Sequence, residues 1–447
     1  MKKKINVITL GCSKNLVDSE LFLSQMVANG YEVSHDSNDS DARIVAINTC
    51  GFILDAKEES VNTILGYADA KKRGLIDKIF VFGCLSERYK ESLMMEIPEV
   101  DGFYGKFQVK KMVEDLKADY KMSLSRQRYL TTPSHYAYLK ISEGCNRTCS
   151  YCAIPNMTGK HVSIPIEDLV VEAQGLADKG VKELLIIAQD LSYYGIDLYK
   201  ESRLAQLVSE LSDIKGIEWI KLHYAYPTDF PFDLISVMNL KPNVARYLDL
   251  ALQHCSDKML KLMRRNTTKE ETINLITRIR KEVPGIHLRT TMLVGHPGET
   301  EEDFEELKSF VRTMRFERLG VFPYSHEEDT YAGEKYEDTI PQEVKQARAD
   351  ELMEIQQQIS SKVNGEKVGH RMKIVIDRLE GEYYIGRTEF DSPEVDGEVL
   401  IAADQNLIIG NFYQVRIIGS EDFDLYAEIS EKQKDKGKRP KIKGTID

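Results

Sequence analysis

Two sets of cysteines could do chemistry in this 447-residue chain. The tighter set is Cys145, Cys149 and Cys152, a CxxxCxxC run directly behind Gly144. Soft thiolates favour iron-sulfur clusters or zinc over hard cations. A four-iron cluster is usually held by four thiolates, so three of them leave one iron open. A zinc site would need a fourth ligand, for which His161 is the nearest candidate, but structural zinc ligands usually come as two close pairs. The wider set is Cys12, Cys50 and Cys84, each beside a glycine in Gly11-Cys12, Cys50-Gly51 and Gly83-Cys84. Any one of them is as readily a small buried apolar residue. Three in the same placement point instead to one crevice, with glycine letting the backbone approach something bulky. The long separations match no short zinc motif. The seventh cysteine, Cys255, matches no ligand pattern and is assigned to the core.

The elements that must position these thiols are legible as alternating runs. Strand-like segments 5–10, 42–47 and 78–82, separated by helical segments such as 18–28 and 55–72, each run into one cysteine of the wider set. That pattern predicts a doubly wound α/β domain with a parallel sheet, whose ligands lie at the carboxyl ends of the strands. Further strand-like runs at 136–142, 183–188, 217–223, 247–252, 287–294 and 318–323 alternate with helices, predicting a central partial (β/α)6 barrel. Barrel chemistry gathers at the carboxyl ends of strands, which here carry Gln189, Asp190, Tyr226, Gln253, His254 and His296. The two histidines read more simply as residues satisfied by nearby loop backbone. Thr300 with Asp303 reads as a capping box opening an acidic-first helix.

Helix 342–364 reads as a connector, and five short strand-like runs follow, at 372–379, 383–388, 398–402, 412–418 and 425–429. They predict a small five-stranded OB-like antiparallel β-barrel. Residues 368–430 hold five Arg or Lys against thirteen Asp or Glu, a net of −8, which suits a basic protein partner better than RNA. Residues 431–447 reverse the sign, with seven basic against three acidic residues, and read as a solvated basic tail. The predicted domains are therefore 1–125, 131–365 and 366–430, followed by the tail 431–447.

Composition sets the class. A hydrophobic share of 42% and a charged share of 30% are those of a soluble globular chain, with no apolar run long enough to cross a bilayer. The opening apolar stretch, broken by Asn6 and Thr9, reads as a first strand rather than a leader. An odd number of thiols argues against a disulfide framework and for a reducing, cytoplasmic setting. A formal charge of −12 counts mildly against a polyanion as the main partner.

CxxxCxxC with an aromatic, Tyr151, before the last cysteine resembles the radical S-adenosylmethionine (AdoMet) enzymes. The resemblance implies that AdoMet occupies the open iron, that the Tyr151 backbone contributes to adenine recognition, and that Gln189 meets the methionyl moiety. The stretch 293–300 looks like that family's fifth-strand loop. Taken with the amino-terminal three-cysteine domain and a TRAM-like terminal barrel, nearly the whole chain resembles the methylthiotransferases. The run Gly11-Cys12-Ser13-Lys14-Asn15-Leu16-Val17-Asp18-Ser19-Glu20 is similar to the RimO type, which modifies an aspartate of small-subunit ribosomal protein S-twelve. Thr158, Ile164 and Ala251 stand where the family pattern has arginine, arginine and proline.

The resemblance implies two 4Fe-4S clusters, one on Cys145, Cys149 and Cys152 opening AdoMet, the other on Cys12, Cys50 and Cys84 carrying sulfur. It implies methylthio transfer to the aspartate β-carbon, an electron donor such as flavodoxin or ferredoxin, and a substrate met free or on the ribosome. An unactivated β-carbon has no proton acidic enough for general acid-base catalysis, so the cofactor must supply a radical. Two other readings stay open on the residues alone: a methylthiotransferase acting on tRNA adenosine beside the anticodon, and a non-catalytic zinc-stabilised ribosome-binding module.

Overall fold

The computed structural model of the chain describes residues 3–38 and 41–430; the basic tail, 431–447, lies outside the described residues. Two compact units emerge, Met1–Met353 and Glu354–Asp447, with their boundary inside the helix Gln342–Gly365.

In the first unit, β1 (Lys4–Thr9), β2 (Glu32–His35), β3 (Ile44–Thr49), β4 (Lys78–Gly83) and β5 (Gly102–Phe103) form a parallel sheet in the order β2-β1-β3-β4-β5. Successive strand side chains point to opposite faces, and both faces are apolar. Ile5, Val7, Ala46, Phe80 and Phe82 pack on Phe22, Leu23 and Met26 of the helix Ser13–Ala28. Val45, Ile47, Ile79 and Val81 pack on Ile64 and Ala68 of the helix Leu54–Lys72. The strand order reverses between β1 and β3, so a crevice opens beyond their carboxyl ends.

The chain continues into β6 (Tyr136–Lys140), a short ribbon of β7 (Ser142–Glu143) and β8 (Val162–Ser163), then β9 (Glu183–Ile187), β10 (Trp219–Ala225), β11 (Val244–Gln253), β12 (His287–Val294) and β13 (Arg318–Pro323). Six of these pair in parallel in the order β13-β12-β11-β10-β9-β6, the predicted partial barrel. The run 136–142 is not one strand. It leaves the barrel after Lys140, and Ser142 and Glu143 pair antiparallel with Ser163 and Val162, delivering the chain to Gly144. The capping box at Thr300 and Asp303 forms as expected and opens the helix Glu301–Met314.

The helix Ser13–Ala28 also serves the barrel: Val17 packs with Tyr136, Tyr138, Leu185 and Ile187. Beside this contact the buried Arg128 donates to Glu20 at 2.8 Å, to Glu172 at 3.0 Å and to the Tyr138 carbonyl at 2.9 Å. Amino-terminal sheet and barrel thus share one unit.

In the second unit, β14 (Arg371–Glu380), β15 (Tyr383–Thr388), β16 (Val399–Ala402), β17 (Phe412–Ser420) and β18 (Leu425–Ile429) close into a barrel in the order β14-β15-β16-β18-β17 around Ile374, Ile376, Val399, Val415 and Ile417. The expectation of an antiparallel barrel is corrected at one seam, because β16 and β18 run parallel. A closed ring with an odd number of strands cannot alternate direction throughout, so one parallel pair is unavoidable.

Inside the first unit, His223 of β10 lies between the rings of Tyr224 and Tyr247, and its Nε2 has no hydrogen-bond partner among the described residues. Burial, then the charges of Arg289 and Lys221, pull its pKa from 6.5 to about 3. The fold therefore holds the imidazole neutral while the unfolded chain protonates near 6.5. Stability from this site is complete above that pH and is lost as pH falls through the window from 6.5 toward 3. By pH 5 the loss is roughly 2 kcal/mol. Urea unfolding followed by the single tryptophan, Trp219 on the same strand, should show a midpoint falling between pH 7 and 5 more steeply than in His223→Asn; equal slopes would refute the assignment.

Candidate active site

Each thiol of the wider set sits just past a strand. Cys12 follows β1 and caps the helix Ser13–Ala28, Cys50 follows β3, and Cys84 is the first residue of the helix Cys84–Glu96 behind β4. Gly11 has φ +89°, and a Cβ there would lie 2.7 Å from the Cβ of Cys50 and 2.9 Å from its Sγ. Only a bare backbone lets the chain pass this close to Cys50. Ser60 Oγ braces Cys50 by bonding both its N–H and its carbonyl at 3.0 Å. The buried Asn15 amide donates to the carbonyls of Leu10 at 2.9 Å and Thr49 at 3.2 Å, while its Oδ1 accepts from the Cys84 thiol at 3.7 Å. One side chain therefore ties together the ends of β1 and β3 and the thiol behind β4.

The three sulfurs act on one another. Burial pushes the Cys84 thiol up to about 12, with Lys106 opposing and Cys12 and Cys50 adding to the rise. Burial also raises Cys50, reinforced by Cys12. Metal ligation requires thiolates, and a bound cationic centre inverts this local preference for the neutral thiol. Two helix N-termini converge here, at Cys12 and Cys84, and favour negative charge on the sulfurs. The donor set fits a sulfur-ligated cluster.

The second triad lies on a loop at the mouth of the partial barrel. Gly144, at φ +82°, passes so close to Lys160 that a Cβ would lie 2.1 Å from its carbonyl oxygen. The loop is pinned from three sides: the Cys145 N–H donates to the Gly159 carbonyl at 3.1 Å, the Ser150 N–H to that of Met263 at 2.9 Å, and the Ala332 N–H to that of Ser150 at 2.6 Å. Burial pushes Cys145 up to about 11 and raises Cys152 further. Cations surround the loop. The buried Arg265 donates to Cys149 Sγ at 3.7 Å, to Tyr151 Oη at 3.0 Å and to the Ala251 carbonyl. Tyr226, its hydroxyl 3.8 Å from Cys149 Sγ, lies between the guanidinium groups of Arg147 and Arg265, 4.1 and 4.3 Å from its ring centre. Arg147 is anchored to Asp190 at 2.8 Å.

Tyr151 packs against Met263, Leu293 and Tyr324, and its hydroxyl is taken by Arg265. Gln189 donates to Glu143 through Nε2, and its buried Oε1 has no hydrogen-bond partner among the described residues. His254 pairs with Glu299 at 3.1 Å and accepts the Ser256 N–H at 3.0 Å. His296 bonds Ser150 Oγ at 3.1 Å and packs edge-on to Tyr151, Tyr324 and Tyr336. Both histidines support the loops. His161 is engaged by Ser163 Oγ at 3.0 Å. Cys255 is fully buried.

Comparison with known proteins agrees with this layout. Residues 4–105 match the uncharacterized protein family UPF0004, 139–311 the radical SAM superfamily and 368–429 the TRAM domain. The ribosomal protein uS12 methylthiotransferase RimO of Bacteroides fragilis is 61% identical over 429 residues, covering 96% of this chain and 99% of the relative. Those of Bacteroides thetaiotaomicron, at 60%, and Porphyromonas gingivalis, at 59%, match with the same coverage. The chain belongs to the ribosomal protein uS12 methylthiotransferase family. The fold also resembles solved structures at only 13% identity. The radical S-adenosylmethionine methyltransferase TsrM of Kitasatospora setae gives a TM-score of 0.54 over 74% of this chain and 77% of that one. The cobalamin-dependent S-adenosylmethionine radical enzyme OxsB gives 0.50 over 79% of this chain and 56% of that one.

Within this uS12 methylthiotransferase family member, four polar groups at the thiols escaped sequence reasoning: Asn15, Lys106, Glu143 and Arg265. Asn15 and Glu143 were within reach, lying three residues after Cys12 and two before Cys145, whereas Lys106 and Arg265 are far from either motif. The close approach at Gly11 yields a test. Gly11→Ala should bind about four irons per chain after anaerobic reconstitution where the parent binds about eight, with the loss confined to the first triad. An unchanged iron count would show that the Gly11 contact does not shape that site.

Proposed function

We propose that this chain is a radical AdoMet methylthiotransferase that adds a methylthio group to the β-carbon of an aspartate in ribosomal protein uS12, with Cys145, Cys149 and Cys152 holding one 4Fe-4S cluster and Cys12, Cys50 and Cys84 the other. One observation carries the reading: three cysteines stand just past the ends of β1, β3 and β4 and three more on the loop behind Gly144, on a chain 61% identical to a uS12 methylthiotransferase along nearly its whole length. Three ligands leave one iron of each cluster free for a non-protein partner. When bound, the clusters and AdoMet supply radical hydrogen abstraction and the sulfur to be transferred, chemistry that no ionisable side chain provides at an unactivated carbon.

The chain's own residues bind, orient and shield. Arg265 and Arg147, stacked on Tyr226, offset the negative charge of the second set of thiolates. The unpartnered Oε1 of Gln189 is an acceptor suited to the methionyl ammonium of AdoMet, and Glu143 holds the Gln189 amide in place. The Tyr151 hydroxyl is occupied, which leaves its backbone for the adenine edge. Fully buried strands β6 and β9 close one side of the barrel to water. The terminal barrel, with a net charge of −8 over residues 368–430, attracts a basic protein such as a ribosomal one and repels tRNA. A one-electron donor such as flavodoxin or ferredoxin, and a cytoplasmic location where ribosomal proteins are met free or assembled, complete the proposal.

Iron and sulfide should be about eight each per chain after reconstitution and fall to about four in a Cys145→Ala, Cys149→Ala, Cys152→Ala variant. The parent, given AdoMet, sulfide and a reductant, should add a methylthio group to uS12, read by mass spectrometry, and the variant should add none. Zinc in place of iron, or an addition found on tRNA and absent from uS12, would overturn the proposal.

A further inference from the structure

A buried lysine joins the two thiol sites. Lys106 is 8% exposed, and its Nζ lies 3.9 Å from Cys84 Sγ, 3.2 Å from Glu143 Oε1 and 3.5 Å from Asp18 Oδ2. Glu143 belongs to β7, two residues before Cys145, and Asp18 to the helix that Cys12 caps. Lys140, at the end of β6, bonds the same two carboxylates, at 2.7 Å to Glu143 Oε2 and closely to Asp18 Oδ1. Two ammonium groups and two carboxylates therefore balance, and the sulfur of Cys84 is the remaining acceptor within reach of the Lys106 ammonium. With Asp18 and Glu143 carboxylates at 3.5 and 3.2 Å, the amine is paired as an ammonium ion. Its backbone is fixed to the Cys84 helix: the Lys106 N–H donates to Glu87 Oε2 at 2.9 Å, and a Cβ on the preceding Gly105 would lie 1.8 Å from that same oxygen.

The geometry points to Lys106 as a positioning residue of the reaction, whose ammonium donates to the Cys84 sulfur, raises the reduction potential of the cluster on Cys12, Cys50 and Cys84, and ties that cluster to the AdoMet end of the barrel through Glu143. Hydrogen bonds and positive charge at cluster sulfurs stabilise the reduced form, which carries one more negative charge. A lysine that only stapled the two sheets together would hold the fold without setting a potential.

This inference rests on the proposed cluster ligands, and the test separates the two. The parent is the full chain carrying the Cys145, Cys149, Cys152 triple alanine change, so that a single cluster is read by electron paramagnetic resonance during potentiometric titration. Lys106→Met and Lys106→Gln should make the reduction equilibrium at least tenfold less favourable, a drop of 59 mV or more for one electron, and Lys106→Arg should recover most of it. Loss of iron from the Met and Gln variants with retention in Arg would mark a charged staple that holds the site together, and would overturn the claim that Lys106 sets the potential. A potential unchanged within twofold in the Met variant, or iron lost from all three variants, would overturn the inference. A parent that binds no iron at all would instead sink the ligand assignment beneath it.

Discussion

Burial opposes the charge on a thiolate, whereas an iron-sulfur cluster is held by thiolates. At Cys84 and Cys145 burial is the largest influence on the thiol, lifting it to about 12 and about 11. Much of the surrounding structure can be understood as compensation. Helix N-termini meet the first triad at Cys12 and Cys84, and Lys106 stands 3.9 Å from the latter. Arg147 and Arg265 flank the second. None of these cations is loose: Arg147 is tied to Asp190, Arg265 to the Ala251 carbonyl, and Lys106 to Asp18 and Glu143. Fixed dipoles and charges of this kind need no reorganisation when charge arrives, unlike water.

The second constraint is that, in the proposed reaction, two sites at the carboxyl ends of two different sheets serve one carbon. A flexible linker would leave their separation to chance. The helix Ser13–Ala28 removes that freedom, because consecutive residues point to different partners. Asn15 reaches the ends of β1 and β3, Val17 the barrel strands, Asp18 the paired lysines, Ser19 the hydroxyl of Thr9 at 2.7 Å, and Glu20 the buried Arg128. Apolar contact supplies cohesion without direction, while the buried charges give up their attraction if the helix turns or slides. On the far side Glu327, 2% exposed, accepts from Lys57 at 2.7 Å and Arg88 at 3.0 Å, joining the loop beyond β13 to the helices that follow Cys50 and Cys84.

That helix also shows what was legible in the sequence. The run from Gly11 to Glu20 was informative only through resemblance, since no periodicity distinguishes Asn15 or Asp18 from surface residues; apart from the Leu10 carbonyl, their partners lie about 35 to 120 positions away. The strand ends were readable because β-branched and aromatic runs stop at glycine next to cysteine, a local signal. The parallel order of the barrel followed from strict alternation of strand and helix. The break after Lys140 was hidden because residues 136–142 are uniformly strand-like, and the turn is imposed by Gly144 and the tertiary pairing with β8. The parallel seam between β16 and β18 follows from strand number alone, because a closed ring of five strands cannot alternate direction all the way round.

Charge acts at two scales in the proposed reaction, with opposite signs. Out to about a Debye length, about 8 Å at physiological salt, an approaching partner senses the summed charge of a surface, and residues 368–430 carry −8, favourable to a basic protein. Within hydrogen-bond range of the second triad the environment is cationic, through Arg147 and Arg265, and the residue to be modified is itself an aspartate. A substrate that is basic overall but presents a local carboxylate satisfies both demands. A tRNA fits poorly, because its backbone meets repulsion from the acidic residues 368–430. The charge of residues 368–430 thus favours a basic protein over a tRNA before any shape-specific contact is made.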